Sequence, residues 1–560
     1  GGAPLHTDLM DGVVTDWTRI KGSAPAGEMI RNILANFNIA KPQLSVPGLI
    51  KLYQLVKKLP QTVWRNKKLE DIQQIIEECS GLYIEATSSQ PQVVQGDNLY
   101  INFLLNKRLD VNATLKNISI QEFDSSFSIV LPTDQNITFN KNLAVPGNKK
   151  ISQPYWLQYP LVGGTFEVRD QTLIGKAEND PSFNSIFLVS IDGEDFTINR
   201  PVKYKYIDPV KGELHEPIPV LPKIEVKYDK GNYISLNDEP VSTLVRIKSN
   251  KEGISPDEFS VNQQYSDNWS GKNEIVQHAA MALSEKDVRS TFVPQKKMSN
   301  TSEEIYASVK NGNQEYDSYT KTISYPHIPT ITYFPKASAN LLDLDIKIIG
   351  KKIGYIPGAG DKVPEALEQM GYEVTTIGEP DIHEEYLKQF DAIITGIRAY
   401  NMYEYLTEKN AVLMQYVHDG GNLIVQYLKS NNVGQQNVKV GPFPFVVNSQ
   451  SRVTEENTPV KFLLPQHPAL NYPNKITDED FKGWIQERST YQAQQLDPHY
   501  EALLSMHDTG EEPSNGSLVI AKYGKGNFVY SGLVFFRQLP AGIPGAFRLM
   551  ANLIALPENK

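Results

Sequence analysis

The spacing of apolar and polar positions changes along the chain, and each change marks a new kind of element. From Gly27 to about Cys79 apolar residues recur at helical intervals, as in GLIKLYQLVKKL and DIQQIIEEC. Pro42, Pro47 and Pro60 are expected to cut this stretch into short helices, so residues 1–80 read as a helical connector. From Gly81 the period falls to two. LYIEATSS, NLYINFLL, NATLKNISIQEF, FSIVLP and TINRPVKYKYI alternate apolar and polar residues between Gly, Pro, Asn and Asp turns, which predicts an antiparallel β-sandwich over residues 81–217.

Residues 208–229, DPVKGELHEPIPVLPKIEVKYD, are rich in proline. Central strands exclude proline, so an interdomain linker is expected around Pro217–Pro222. STLVRIKSN, TSEEIYASVK and TKTISYPHIPTITYF then predict a second sandwich over residues 218–335. Over residues 336–560 strands (Ile346–Ile356, Glu373–Ile377, Ala392–Thr395, Asn422–Tyr427) alternate with helical patterns near 363–370, 383–390 and 407–418. That order predicts parallel strands joined by crossovers, a doubly wound α/β sheet. The fold class is therefore multidomain: a helical segment, two antiparallel β-sandwiches and a C-terminal α/β domain.

Composition narrows the function. A chain of 560 residues with 40% hydrophobic content holds material for several cores. Its net charge of −10 offers no basic stripe to displace counterions, so no nucleic-acid partner is expected. No apolar run is long enough for a transmembrane segment. Cys79 is the single cysteine, which excludes an intramolecular disulfide and a cysteine-based zinc site.

Several stretches invite chemistry. Gly358-Ala359-Gly360 opens a GxGxxG match, but Val363 stands where the third glycine belongs and Asp361 would meet a phosphate with negative charge, so these glycines read as a tight βα turn. The turn after Asn422–Tyr427 is where a doubly wound hydrolase carries its nucleophile, yet Gln426 and Tyr427 stand there; this is a degenerate elbow with no catalytic residue. Arg398, Tyr400 and Asn401 follow a strand's carboxyl end, where open α/β sheets bind ligands. DEDFKGWIQERSTY gathers Asp480, Trp484, Glu487, Arg488 and Tyr491, carboxylates beside aromatics that suit sugar recognition or glycosidic acid/base work. Asp497, His499, His507, Asp508 and Glu511 offer metal-type ligands or loop salt bridges, and Arg537 and Arg548 read as clamps for carbonyls or carboxylates.

Taken together, GYIPGAGDKVPEAL, FDAIITGIRAYN, HPALNYPNKITDEDFKGWIQERSTY and FRQLPAGIPGAFRL resemble the C-terminal region of long bacterial PIG-L (LmbE-like) family deacetylases. Asp11-Gly12 and the Thr15–Ile20 stretch resemble the segment that follows the catalytic domain there. The last domain is also similar to the class I glutamine amidotransferase-like and ThuA-like superfamily. The resemblance implies a metal-dependent N-deacetylase domain with zinc on an AHPDDE-type motif, but this sequence contains no His-Pro-Asp-Asp. The expectation is thus a noncatalytic accessory portion without metal or cofactor of its own. It would bind a glycan or amino-sugar ligand, partner its own N-terminal deacetylase domain, and be exported to the periplasm or outside. The competing expectations are a carbohydrate hydrolase using Asp480, Glu487 or His507, and a structural protein-interaction module.

Overall fold

The computed structural model describes residues 9–120, 123–162, 164–276, 284–295, 299–433, 436–447 and 449–557. The Gln121–Glu122 end of the third predicted strand lies outside these. The chain is multidomain and rich in β-structure, and it packs into two compact units. One comprises residues 1–224, 249–254 and 320–335; the other comprises 225–248, 255–319 and 336–560.

The first unit opens with helices α1 (Ala24–Ala35), α2 (Val46–Lys57) and α3 (Val63–Cys79). Pro25 and Pro47 sit in the first turns of α1 and α2, where a missing N–H is harmless; Pro47 starts a helix instead of cutting one. Thr62 caps α3, its hydroxyl accepting from the Arg65 N–H at 3.1 Å.

Strands follow: β1 (Leu82–Ser88), β2 (Asn98–Lys107), β3 (Ala113–Ile120), β4 (Phe123–Val130), β5 (Asn136–Ala144), β6 (Asn184–Ile191), β7 (Glu194–Asp208) and β8 (Gly212–Pro217). They form one sheet in the order β4-β3-β6-β7-β1-β2-β5, with β8 paired to β7. β7 carries the whole arrangement. Its residues Glu194–Pro201 pair antiparallel with β6, and Val202–Tyr204 pair parallel with β1. Pro201 stands at the change of partner, the position in a long strand that tolerates a lost donor. The sheet curls until distant strands face each other, with Phe103 of β2 edge-on to Phe187 of β6 at 5.8 Å. Between them Leu99, Ile101, Leu105, Leu115, Val189 and Phe196 form a buried apolar core.

The proline-rich run is not slack. Val93 and Gln95 donate backbone bonds to Pro219 and Leu221 (3.0 and 3.1 Å), and Ser152 donates to Val220 (3.1 Å). The Lys321–Tyr325/Ile328–Tyr333 hairpin, expected in the second sandwich, belongs to the first unit.

In the second unit a four-stranded and a five-stranded sheet, spanning residues up to Leu344, precede a seven-stranded one. The latter contains β9 (Lys352–Ile356), β10 (Glu373–Thr376), β11 (Ala392–Thr395), β12 (Asn422–Gln426), β13 (Tyr500–Ala502), β14 (Leu518–Tyr523) and β15 (Gly526–Ser531). Their order is β10-β9-β11-β12-β15-β14-β13; the first five run parallel, and β14 and β13 close the edge antiparallel. β9 is shorter than the predicted Ile346–Ile356.

Both faces of this sheet are covered, which is why its central strands read as unbroken apolar runs. Ala392, Ile394, Ile424 and Val529 pack on one face with α4 (Val363–Gln369) and α6 (Pro544–Ile554). Ile393, Leu423, Val425, Phe528 and Tyr530 pack on the other with α5 (Asn410–His418).

Candidate functional site

Strand order places the reversal of winding between β9 and β11, where an open α/β sheet ordinarily leaves a crevice beyond its carboxyl ends. Here the chain fills that crevice itself. The Ala359 N–H donates to the Ile397 carbonyl at 2.8 Å, and a Cβ on Gly358 would fall 2.1 Å from the same oxygen. Asp361 accepts from the Tyr355 hydroxyl (2.6 Å) and from the N–H groups of Val363 (3.0 Å) and Ile397 (3.2 Å). A carboxylate thus occupies the place a phosphate would need.

Aromatic and charged side chains gather one strand pair further on, beyond β11, β12 and β15. Arg398 sits in a left-handed conformation (φ 60°), its N–H donating to the Tyr427 carbonyl at 2.8 Å and its Nε buried without a partner among the described residues. The Tyr427 ring lies 5.1 Å from Tyr491 and 5.4 Å from Phe536. Tyr491, also left-handed (φ 49°), is fixed by the Tyr530 hydroxyl, which donates to its carbonyl at 2.6 Å. The Arg537 guanidinium rests 5.2 Å from the Phe536 ring centre and 3.2 Å from Glu487. Burial lifts Glu487 above the ordinary carboxylate range, outweighing the pull of Arg537 and Arg452. The Tyr427 hydroxyl is likewise raised by burial; Tyr491 and Glu487 add to the rise, while Arg398 and Arg537 oppose it.

The elbow position holds no nucleophile. Gln426 turns its amide sideways, donating to the Thr395 carbonyl at 3.2 Å; its Oε1 and the Thr395 hydroxyl are buried without a hydrogen bond among the described residues. Ordered water or a ligand is the ordinary partner of such buried groups.

Of the predicted ligand-binding residues, Arg398, Glu487 and Tyr491 therefore meet, together with Tyr427. The others do not join them. Tyr400 is buried in the core on one face of the sheet, and its hydroxyl pKa is pushed up by that burial. Trp484 is buried in the core on the opposite face, its indole N–H donating to the Asp480 carbonyl at 2.9 Å. The sheet separates Tyr400 from Trp484, so the two candidate ligand-binding aromatics do not share a pocket.

Asn401 clips two loops together, donating to the Ser430 carbonyl (2.9 Å) and accepting from the Lys429 N–H (2.7 Å). Asp480 pairs with Arg548 at 2.8 Å and caps its own turn at the Thr477 N–H (2.8 Å). Arg488 is buried and spends a guanidinium bond on the Phe481 carbonyl.

The histidine cluster separates as well. His499 pairs with Asp497 (2.6 Å) and stacks on Phe443, whereas Asp508 is tied to the N–H groups of Thr454 and Glu455. In the first unit Glu85, Glu213 and His215 bring their ligand atoms within 4.8 Å of one another. Lys205 already stands 3.1 and 3.0 Å from the two carboxylates and takes the cation's place.

Sequence reasoning does not reach Phe536, and it reads Arg537 only as a clamp. The signal was the rule that singled out Arg398: both residues follow the carboxyl end of a parallel strand, β15.

No family model matches the chain, and no curated protein matches it. Among solved structures it is similar to a protein of unknown function from Porphyromonas gingivalis W83, at 10% identity and a TM-score of 0.14, covering 47% of this chain and 99% of that one. It is also similar to domains 5–6 of the S-layer protein SbsC, at 9% identity and a TM-score of 0.14, covering 47% and 98% of the two chains. Overlaps this loose carry no weight for fold or function.

Proposed function

We propose that the chain is a noncatalytic accessory portion of a PIG-L-type N-acetylglucosaminyl deacetylase, and that its last domain is a degenerate amidotransferase-like module holding a glycan. The observation that carries this reading is the cluster of Tyr427, Tyr491 and Phe536 flanked by Arg398, Arg537 and Glu487 at a strand-end edge whose elbow offers only Gln426 and Tyr427. Aromatic faces accept the apolar faces of pyranose rings, and charged forks beside them orient hydroxyl, amide or amine groups. The resemblance to the PIG-L C-terminal region supplies the substrate class, and export follows from the same resemblance. The hydrolase reading is weakened because Asp480 is engaged through both oxygens, by Arg548 and by Thr477.

Calorimetric titration of the full chain with chitotetraose and with its de-N-acetylated counterpart tests this. Binding that Tyr491→Ala weakens roughly tenfold, about the loss of one good aromatic contact, is the expected result. Binding indifferent to both Tyr491→Ala and Arg398→Ala would remove the site from the reading.

A further inference from the structure

The outer face of the first unit's sheet carries a hollow of about 640 Å³ whose lining includes Thr87, Tyr100, Asn102, Asn140, Asn142 and Lys205. We infer that this hollow is a second carbohydrate site, for a neutral, unbranched oligosaccharide. The inference stands on residues separate from those of the α/β domain.

Three observations carry it. The first is register. Tyr100 lies opposite Asn142, and Asn102 opposite Asn140, on the antiparallel pair β2 and β5, with Thr87 of β1 opposite Asn102. Cross-strand neighbours stand about 5 Å apart and alternate residues on a strand about 7 Å apart. Tyr100 and the three asparagines therefore mark the corners of a patch the size of one sugar ring.

The second observation is what these side chains leave undone. Two same-face pairs further along, past Leu104 and Thr138, Asn106 donates to Asn136 at 2.6 Å, so amides on this face do pair when geometry allows. The amides of Asn102, Asn140 and Asn142 make no side-chain hydrogen bond among the described residues. Each presents a donor and an acceptor side by side, the arrangement that matches adjacent hydroxyls of a pyranose. Tyr100 is 58% exposed beside them, a large aromatic at the edge of this polar patch. Its backbone is held in place by Gln90, whose Oε1 accepts the Tyr100 N–H at 2.8 Å while its Nε2 donates to the Asn98 carbonyl at 3.1 Å. Holding the platform before a ligand arrives lowers the ordering cost of binding.

Charge is the third. Lys205 is committed to Glu85 and Glu213, so its ammonium offers little to an anion. Lys141, the other cation of the lining, has an interaction of its own, so what remains facing the hollow is neutral hydrogen-bonding chemistry with one ring face, which selects an uncharged polyol chain over an acidic glycan.

Titrating the full chain with cellotetraose, mannotetraose and sodium polygalacturonate, in low and high salt, tests the assignment. A neutral tetraose should bind with little salt dependence. Tyr100→Ala, and separately Asn102→Ala with Asn140→Ala, should weaken it roughly tenfold, and Tyr100→Trp should retain it. Tyr491→Ala should leave this binding unchanged, so loss of one site does not masquerade as loss of the other. Because Tyr100 and the asparagines lie on the outer face, melting curves of these variants should match the parent. Failure of both neutral sugars to bind, binding indifferent to the sheet-face variants, or salt-sensitive preference for polygalacturonate would each overturn the inference.

Discussion

Glu487 and Arg537 meet at 3.2 Å at the edge of the parallel sheet, and still the carboxylate is held above its ordinary pKa because burial outweighs the attraction. The folded chain therefore keeps a proton on Glu487 more readily than the unfolded chain does. Its contribution to stability is complete below the unfolded value, near 4.5, and is lost as pH rises through the higher folded value. Melting temperatures across this range should show a downward component with rising pH, and Glu487→Gln should flatten it. An unchanged slope in the variant would place the proton elsewhere.

The Asp480–Arg548 pair is a fastening, not an active site. Arg548 also donates to the carbonyls of Asp345 and Lys475, so one side chain ties three segments. Asp480→Ala should cost about 3 kcal/mol in urea unfolding, since it leaves a largely buried guanidinium without its carboxylate. Glycan affinity of the folded variant should stay as in the parent chain.

Two glycines in one loop should respond oppositely to a methyl group. In Gly358→Ala the new Cβ lands on the Ile397 carbonyl and pushes two loops apart, costing about 3 kcal/mol. Gly360 has open space around it and a φ of 95°, so Gly360→Ala pays only backbone strain of about 1 kcal/mol. Denaturant midpoints of the two variants check this. Nucleotide titration of the parent chain should give no heat, because Asp361 holds the anion position.

Trp484→Ala and Tyr400→Ala remove large side chains from the two opposite cores and should each cost about 3 to 5 kcal/mol. Loss of ligand binding in these variants would report unfolding, which circular dichroism at the assay temperature will reveal. Tyr491→Ala, at a half-buried ring, is the informative substitution.

How far the sequence could be read follows from the range of each interaction. β2 is plain because Leu99, Ile101, Phe103 and Leu105 fall at alternate positions with Tyr100, Asn102 and Asn106 among those between and beyond them, and β11 because a strand covered on both faces is apolar along its length. β5 and β6 are not legible: NITFNKNLA alternates correctly but carries four asparagine and lysine residues of low strand propensity, and NSIFLVSI is too short to separate from a helix turn. At the site, Arg398 and Tyr491 were legible as residues near strand ends or beside carboxylates. Trp484 misled because nearness in sequence says nothing of direction; the short turn Asp478–Phe481 sends the indole inward. The approach of Phe536 to Tyr427 joins positions more than a hundred apart, and no local pattern encodes it.

One consequence of β7 reaches beyond packing. A single run of backbone, Glu194–Asp208, is ladder partner to β6 on one side of Pro201 and to β1 on the other. Neither half of the curled sheet can peel away while the other stays zipped, because the seam is common property. Amide exchange should accordingly fall to one shared slow rate across β1, β6 and β7, and a pull applied to this strand would be resisted by both halves at once, as a rivet resists through two plates.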